Sequence, residues 1–396
     1  MSSTINNEHR YQITDTSTKM TAPRTLLFGV LLLPYTMFKP SQAVFTGTIL
    51  LPHGDFALDP SFCRVGSKER LVADDIAAAS RTTARWLLNQ EPDIVILTTP
   101  HGLQLDYDYG IYHGNQGSGE VMLGQDLVPD DKGSPCNSHI HSPYNVSVDS
   151  IDLVDFSVSN DLLQSLQPQY PVSAIYSPNT GIPIPLYWGE IVPLIFLLQQ
   201  QSKRVKNPSS SSPQGRQQTL PFRTLVWTFP HRRYEHAPEM VPELLAMGAD
   251  IMSWISKRPE RIAVVVSGDL AHTHLASGPY GYSNTSVAYD AAIDAWLNSS
   301  DSANPCHQNA QTALLELARS LQPAALSCGF TGYVLWHGMM QCQDSTAQSK
   351  DDTHFRSKLL GLGNVTYYGM CSGFFEETQE RSIFTTTSNT IVSDTT

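Results

Sequence analysis

The chain is short of charge, and above all of positive charge. Only 16% of its 396 residues are Asp, Glu, Lys or Arg, and 25 basic residues against 37 acidic ones leave a formal net charge of −12. That balance excludes a broad nucleic-acid footprint. Cysteine is also scarce. The six cysteines, Cys63, Cys136, Cys306, Cys328, Cys342 and Cys371, are too few to hold a fold of this length by disulfides. An oxidising compartment would still let some of them bridge, in pairings that spacing does not reveal. No segment of about 20–50 residues recurs, which excludes a solenoid. What remains is a hydrophobic content of 41%, enough for one large α/β domain or two smaller ones with a real core.

The apolar run Thr25 to Phe38 is shorter than the roughly 20 residues a membrane span needs. It follows Arg24 and precedes Ser41-Gln42-Ala43, a small-x-small cleavage pattern. This is the layout of a secretory signal peptide. The polar leader Met1 to Lys19 lengthens the n-region, and initiation at Met20 would give a conventional signal. An uncleaved membrane anchor and organelle import are the alternatives. Asn-x-Ser/Thr triplets at Asn145, Asn284, Asn298 and Asn364 fit a secreted chain. The expected organisation is a leader over 1–43, one α/β domain over 44–375 with polar insertions near 106–144 and 200–219, and a disordered tail over 376–396.

Periodicity supports that domain. Thr48-Ile49-Leu50-Leu51 stops at Pro52-His53-Gly54-Asp55, a buried strand running into a tight loop. Ser67 to Gln90 carries apolar residues at helical spacing, and Asp93 to Leu97 is a second strand, ending before Thr98-Thr99-Pro100-His101-Gly102. Strand, helix, strand is a βαβ unit, whose crossover implies parallel strands. Further strands are predicted at Val172 to Tyr176, Thr224 to Phe229 and Arg261 to Val266, with helices at Trp188 to Gln199, Thr285 to Leu297 and Gln311 to Leu321. Gly329 to Met340 is a further apolar stretch. Asp106 to Tyr144 has no clear period and reads as an insertion over one face. The fold class is α/β, with a mostly parallel central sheet, flanking helices and a site at the strand carboxyl ends.

Four predicted strands end in loops that carry histidine: His53, His101, His231 and His272. Neutral imidazole suits Zn, Fe, Cu and Ni, and a catalytic ion needs a third donor and open positions. A histidine outside the metal set could move protons. His274 reads as a neighbour of His272, His231 as part of a solvated loop with Arg232, Arg233 and His236, and His139 and His141 as surface residues. Asp55 and Asp269 flank the histidines and either orient imidazoles or cap loops. Cys328 reads by default as a buried, inert thiol. The residues alone point to a metal-dependent or histidine-based enzyme and do not name the reaction.

In order and spacing, LPHGD, TTPHG and SGDLAH resemble the class III extradiol ring-cleavage dioxygenases, the superfamily of the protocatechuate 4,5-dioxygenase β-subunit, over about Phe45 to Gly373. The chain also resembles the Memo branch of that superfamily. The resemblance implies metal ligation by His53 and His101, and acid–base work by His272 in Gly268-Asp269-Leu270-Ala271-His272. It implies Fe(II) as cofactor, with Zn or Cu as alternatives, and a small catechol-type substrate with O₂ as partners. Two positions depart from the ring-cleaving pattern. Trp188 stands where those enzymes have a histidine, and Gly332 where a Glu or His ligand is expected. Cys328-Gly329 resembles a Memo feature, which makes Cys328 the candidate third ligand, ahead of His337. A thiolate would favour Cu(I) or Zn over an oxygen-activating iron set. A non-catalytic secreted binding module is the reading from a different class.

Overall fold

The computed structural model describes residues 44–124, 135–136, 140–179, 181–205, 219–298, 304–342 and 354–378. The leader over 1–43, His139, the Ser-rich tract after Val205 and the tail from 379 lie outside the described residues. Eleven strands are described: β1 (Val44–Leu51), β2 (Ile94–Thr99), β3 (Tyr109–His113), β4 (Gln116–Leu123), β5 (Tyr144–Asp152), β6 (Val172–Tyr176), β7 (Ile184–Pro185), β8 (Arg223–Thr228), β9 (Arg261–Ser267), β10 (His354–Asn364) and β11 (Gly369–Thr378).

Eight of them form one sheet in the order β10-β11-β1-β9-β2-β8-β3-β6. Its centre, β1-β9-β2-β8, is parallel throughout. These strands are buried on both faces and read as unbroken apolar runs, as parallel sheets do. Alternate residues point to opposite sides. Leu50, Ile96, Leu225, Val264 and Val266 join one core, with helices Phe156–Leu166, Val241–Ile255, Thr285–Leu297 and Phe330–Met339. Ile49, Leu51, Val95, Leu97, Val226 and Val265 join the other, with helices Lys68–Asn89 and Trp188–Val205. Antiparallel strands complete the sheet: β11 against β1, and β3 against β8. A small second sheet has the order β5-β4-β7.

Two expectations are corrected. The stretch 106–144 is not simply an insertion over one face, because β3 lies inside the main sheet between β8 and β6, with all five residues buried. Its brevity and its Gly- and Tyr-rich surroundings hide the period that would announce it. Residues 376–378, expected to belong to a disordered tail, lie in β11, which runs to Thr378 in register with β10. Two disulfides, Cys63–Cys136 and Cys306–Cys342, join loops far apart in sequence. Cys328 and Cys371 are free and buried. Among the described residues, no helix is long and apolar enough to cross a membrane.

Candidate metal centre

β9 lies between β1 and β2, and all three strands run the same way. Their loops therefore open side by side. His53 and His101, just beyond β1 and β2, meet with ring centroids 4.9 Å apart and planes nearly perpendicular. Between them, β9 delivers Ser267, Gly268 and Asp269. A Cβ on Gly268 would lie 2.4 Å from Gly329 Cα. Only glycine there lets the 327–329 backbone approach so closely, and that approach carries Cys328 in. Its Sγ accepts from Asp269 N at 3.2 Å and lies 3.3 Å from His53 Nε2. Ligand atoms of His53, His101 and Cys328 all fall within 4.8 Å of one another, and those of Asp269, His272 and Cys328 do likewise.

The tautomer of His53 follows from its partners. Ser267 Oγ–H donates to Gly189 O at 2.6 Å, so the same oxygen accepts from His53 Nδ1–H at 2.9 Å. That leaves Nε2 with its lone pair turned toward the thiol, the arrangement a metal-ligating imidazole requires. Asp269 fixes the loop as well: its Oδ1 accepts from His53 N at 3.1 Å, and its Oδ2 lies 3.4 Å from His53 Nε2. Of the two roles open to Asp269, capping the loop is the one its hydrogen bond shows, while its Oδ2 lies beside the His53 nitrogen that faces the thiol.

Electrostatics keep these groups neutral. Burial, then the charges of His272 and Arg233, lower the His53 pKa to about 3. His101 is driven well down by burial, and His272 falls to about 4 by burial and the Arg233 charge. Burial raises the Asp269 carboxyl to about 8 and pushes the Cys328 thiol well up. Neutral imidazoles with free lone pairs are what a cation needs. A cation is also what would offset the cost of ionising a buried thiol and carboxyl.

A cavity of about 290 Å³ opens over the cluster, lined by His53, His101, Trp188, Asp269 and His272 and walled by Tyr280, Tyr367 and Tyr368. Asp55 lines it too, and its Oδ2 accepts from Gly124 N. His272 Nε2 is buried with no hydrogen-bond partner.

The remaining sequence candidates fall elsewhere. His274 pairs with buried Asp290 at 2.8 Å, and His231 and His141 are exposed. His337 is buried in its helix and belongs to neither donor group. Gly332 packs onto the sheet: a Cβ there would lie 2.8 Å from Val266 Cγ1, so the position has no room for a ligating side chain. Sequence reading missed Arg233, Ser267 and the tyrosines of the wall. Arg233 is buried and donates to Pro100 O at 2.6 Å, next to His101. Ser267 had a signal, a hydroxyl at the last position of an apolar strand, whereas the tyrosines had none.

No family model and no curated protein matches the chain. Among solved structures it is similar to the crystal structure of an uncharacterized protein, JW3007, from Escherichia coli K12. The identity is 12% and the TM-score 0.38, covering 74% of this chain and 91% of that one. A likeness of that degree assigns no activity.

Proposed function

We propose that the protein binds a transition-metal ion through His53, His101 and Cys328, at a site formed by the carboxyl ends of the parallel strands. One observation carries the reading: the lone pair of His53 Nε2 faces Cys328 Sγ at 3.3 Å, with a His101 nitrogen in the same cluster. With Nε2 unprotonated, the Cys328 thiol can donate to it, and a cation would take the place of that proton. The donor set of two nitrogens and one sulfur departs from the two-histidine, one-carboxylate set of oxygen-activating iron. It suits copper or zinc better than Fe(II), which favours a Memo-like metal-binding role. Metal content of the purified full chain tests this. About one Cu, Zn or Fe per chain, lost in His53→Ala, is the expected result, and a metal-free protein that takes up none of the three contradicts it.

A second reading, an oxidoreductase acting on a catechol-type aromatic with O₂, is favoured by the cavity. Bound metal would supply Lewis acidity or electron transfer. The chain's own residues would do the rest. Trp188, Tyr280, Tyr367 and Tyr368 line the cavity and give it an aromatic wall that suits an aromatic guest. His272, neutral and with Nε2 unpartnered, would accept a proton from a hydroxyl held in the cavity. Oxygen uptake with a catechol panel on metal-loaded protein separates the two readings. Uptake that disappears in His272→Ala supports ring chemistry, and metal binding without uptake leaves the binding role alone.

A further inference from the structure

We propose that Asn145, Asn284 and Asn364 carry N-linked oligosaccharides, and that the last two root the glycans beside one wall of the cavity. Each asparagine begins an acceptor triplet: Asn145-Val146-Ser147, Asn284-Thr285-Ser286 and Asn364-Val365-Thr366. All three are exposed and stand at the margins of elements. Asn145 is near the start of β5, where its Nδ2 donates to surface Glu120; Asn284 immediately precedes helix Thr285–Leu297; Asn364 ends β10. The Cys63–Cys136 and Cys306–Cys342 disulfides are an independent mark of an oxidising compartment, the one in which such glycans are added.

The transfer needs a co-substrate, an oligosaccharide carried on a polyprenyl diphosphate. A C–N bond forms between Asn Nδ2 and the anomeric carbon while the C–O bond to the diphosphate breaks. The lipid diphosphate leaves, and Nδ2 gives up one proton. The folded chain presents the triplets unequally. Ser147 is exposed, so Asn145 remains a usable acceptor after folding. Ser286 is fully buried, with its hydroxyl bonded to Thr273 Oγ1 at 2.7 Å, and Thr366 Oγ1 is buried too. At Asn284 and Asn364 the transfer therefore precedes folding. These two also belong to one wall. Tyr280 lies just before Asn284, and Tyr367 and Tyr368 just after Asn364. The segments are tied together by His274 N donating to Tyr367 O at 3.0 Å, with the Tyr280 and Tyr367 rings 6.0 Å apart.

The test is the intact mass of the full chain secreted from a eukaryotic host, before and after treatment with peptide-N-glycosidase, with Asn145→Gln, Asn284→Gln and Asn364→Gln made singly. The expected result is a loss of glycan mass on treatment, and one glycan fewer in each variant. A chain whose mass does not change on treatment overturns the proposal. Modification at Asn145 alone overturns the placement at the wall. The metal reading stands or falls separately, because none of these asparagines touches the donor cluster.

Discussion

β1, β2 and β8 all run into the same dipeptide, Pro52-His53, Pro100-His101 and Pro230-His231. Two of these histidines meet over the end of β9, while the third is exposed, its ring 5.1 Å from Tyr234. Strand order decides between them. β1 and β2 flank β9, whereas β8 lies one strand farther out. The β8 loop bends away as His231 N donates to Leu105 O, and it is Arg233 that turns inward to Pro100 O. His53 and His101 can share a site with a third group because the strand between them ends in residues small enough to admit one. Ser267-Gly268 does this for Cys328.

Substituting across this comparison gives the largest effects first. His53→Ala and Cys328→Ala should each weaken metal binding by more than about 100-fold, measured by equilibrium dialysis with elemental analysis, while His231→Ala leaves it unchanged. A His231 variant that loses metal would erase the contrast. Ser267→Ala keeps every donor but frees the His53 ring, and should cost roughly 10–100-fold in affinity, as loss of an orienting partner does elsewhere.

The buried histidines also set a pH dependence. His53 and His272 titrate near 3 and 4 when folded, against 6.5 when unfolded. The unfolded chain therefore binds more protons at mildly acid pH. Their contribution is complete above 6.5 and is lost as pH falls toward those values, by about 1 kcal/mol per pH unit per histidine. Asp269 has the opposite sign. Its carboxyl, raised to about 8, contributes fully below 3.8, and that contribution is lost as pH rises through 8. Metal-free protein should melt highest near pH 6.5–7 and lower on both sides, as thermal denaturation across pH would show. A melting temperature flat from pH 4 to 9 would refute the burial of these groups. The smallest effect belongs to Arg233. Its charge opposes protonation of all three site histidines. Arg233→Met should shift the acid limit of metal binding upward by less than about one pH unit, and Arg233→Lys should restore it.

The parallel centre of the sheet was legible because buried strands print as apolar runs that end sharply, and the clustered histidines His53 and His101 were legible because they follow those ends. What was not legible depends on contacts between distant segments. β3 is too short to show a period, and its strand pairing with β8 and β6 makes it a strand. Cys328 is a thiol in an apolar stretch until Gly268 meets Gly329. His231 and His101 both follow a Pro after a strand; the charges beside His231 already read as a solvated loop, and the order of strands supplies the reason. Arg233 reads as one of several charges in a loop, yet it is buried.

X-ray absorption at the metal edge of copper- or zinc-loaded full chain tests the central claim most directly. The donor cluster requires one sulfur at about 2.3 Å and two imidazole nitrogens at about 2.0–2.1 Å around the ion, with the sulfur contribution gone in Cys328→Ala. A spectrum of nitrogen and oxygen scatterers alone, with no sulfur shell, would contradict it.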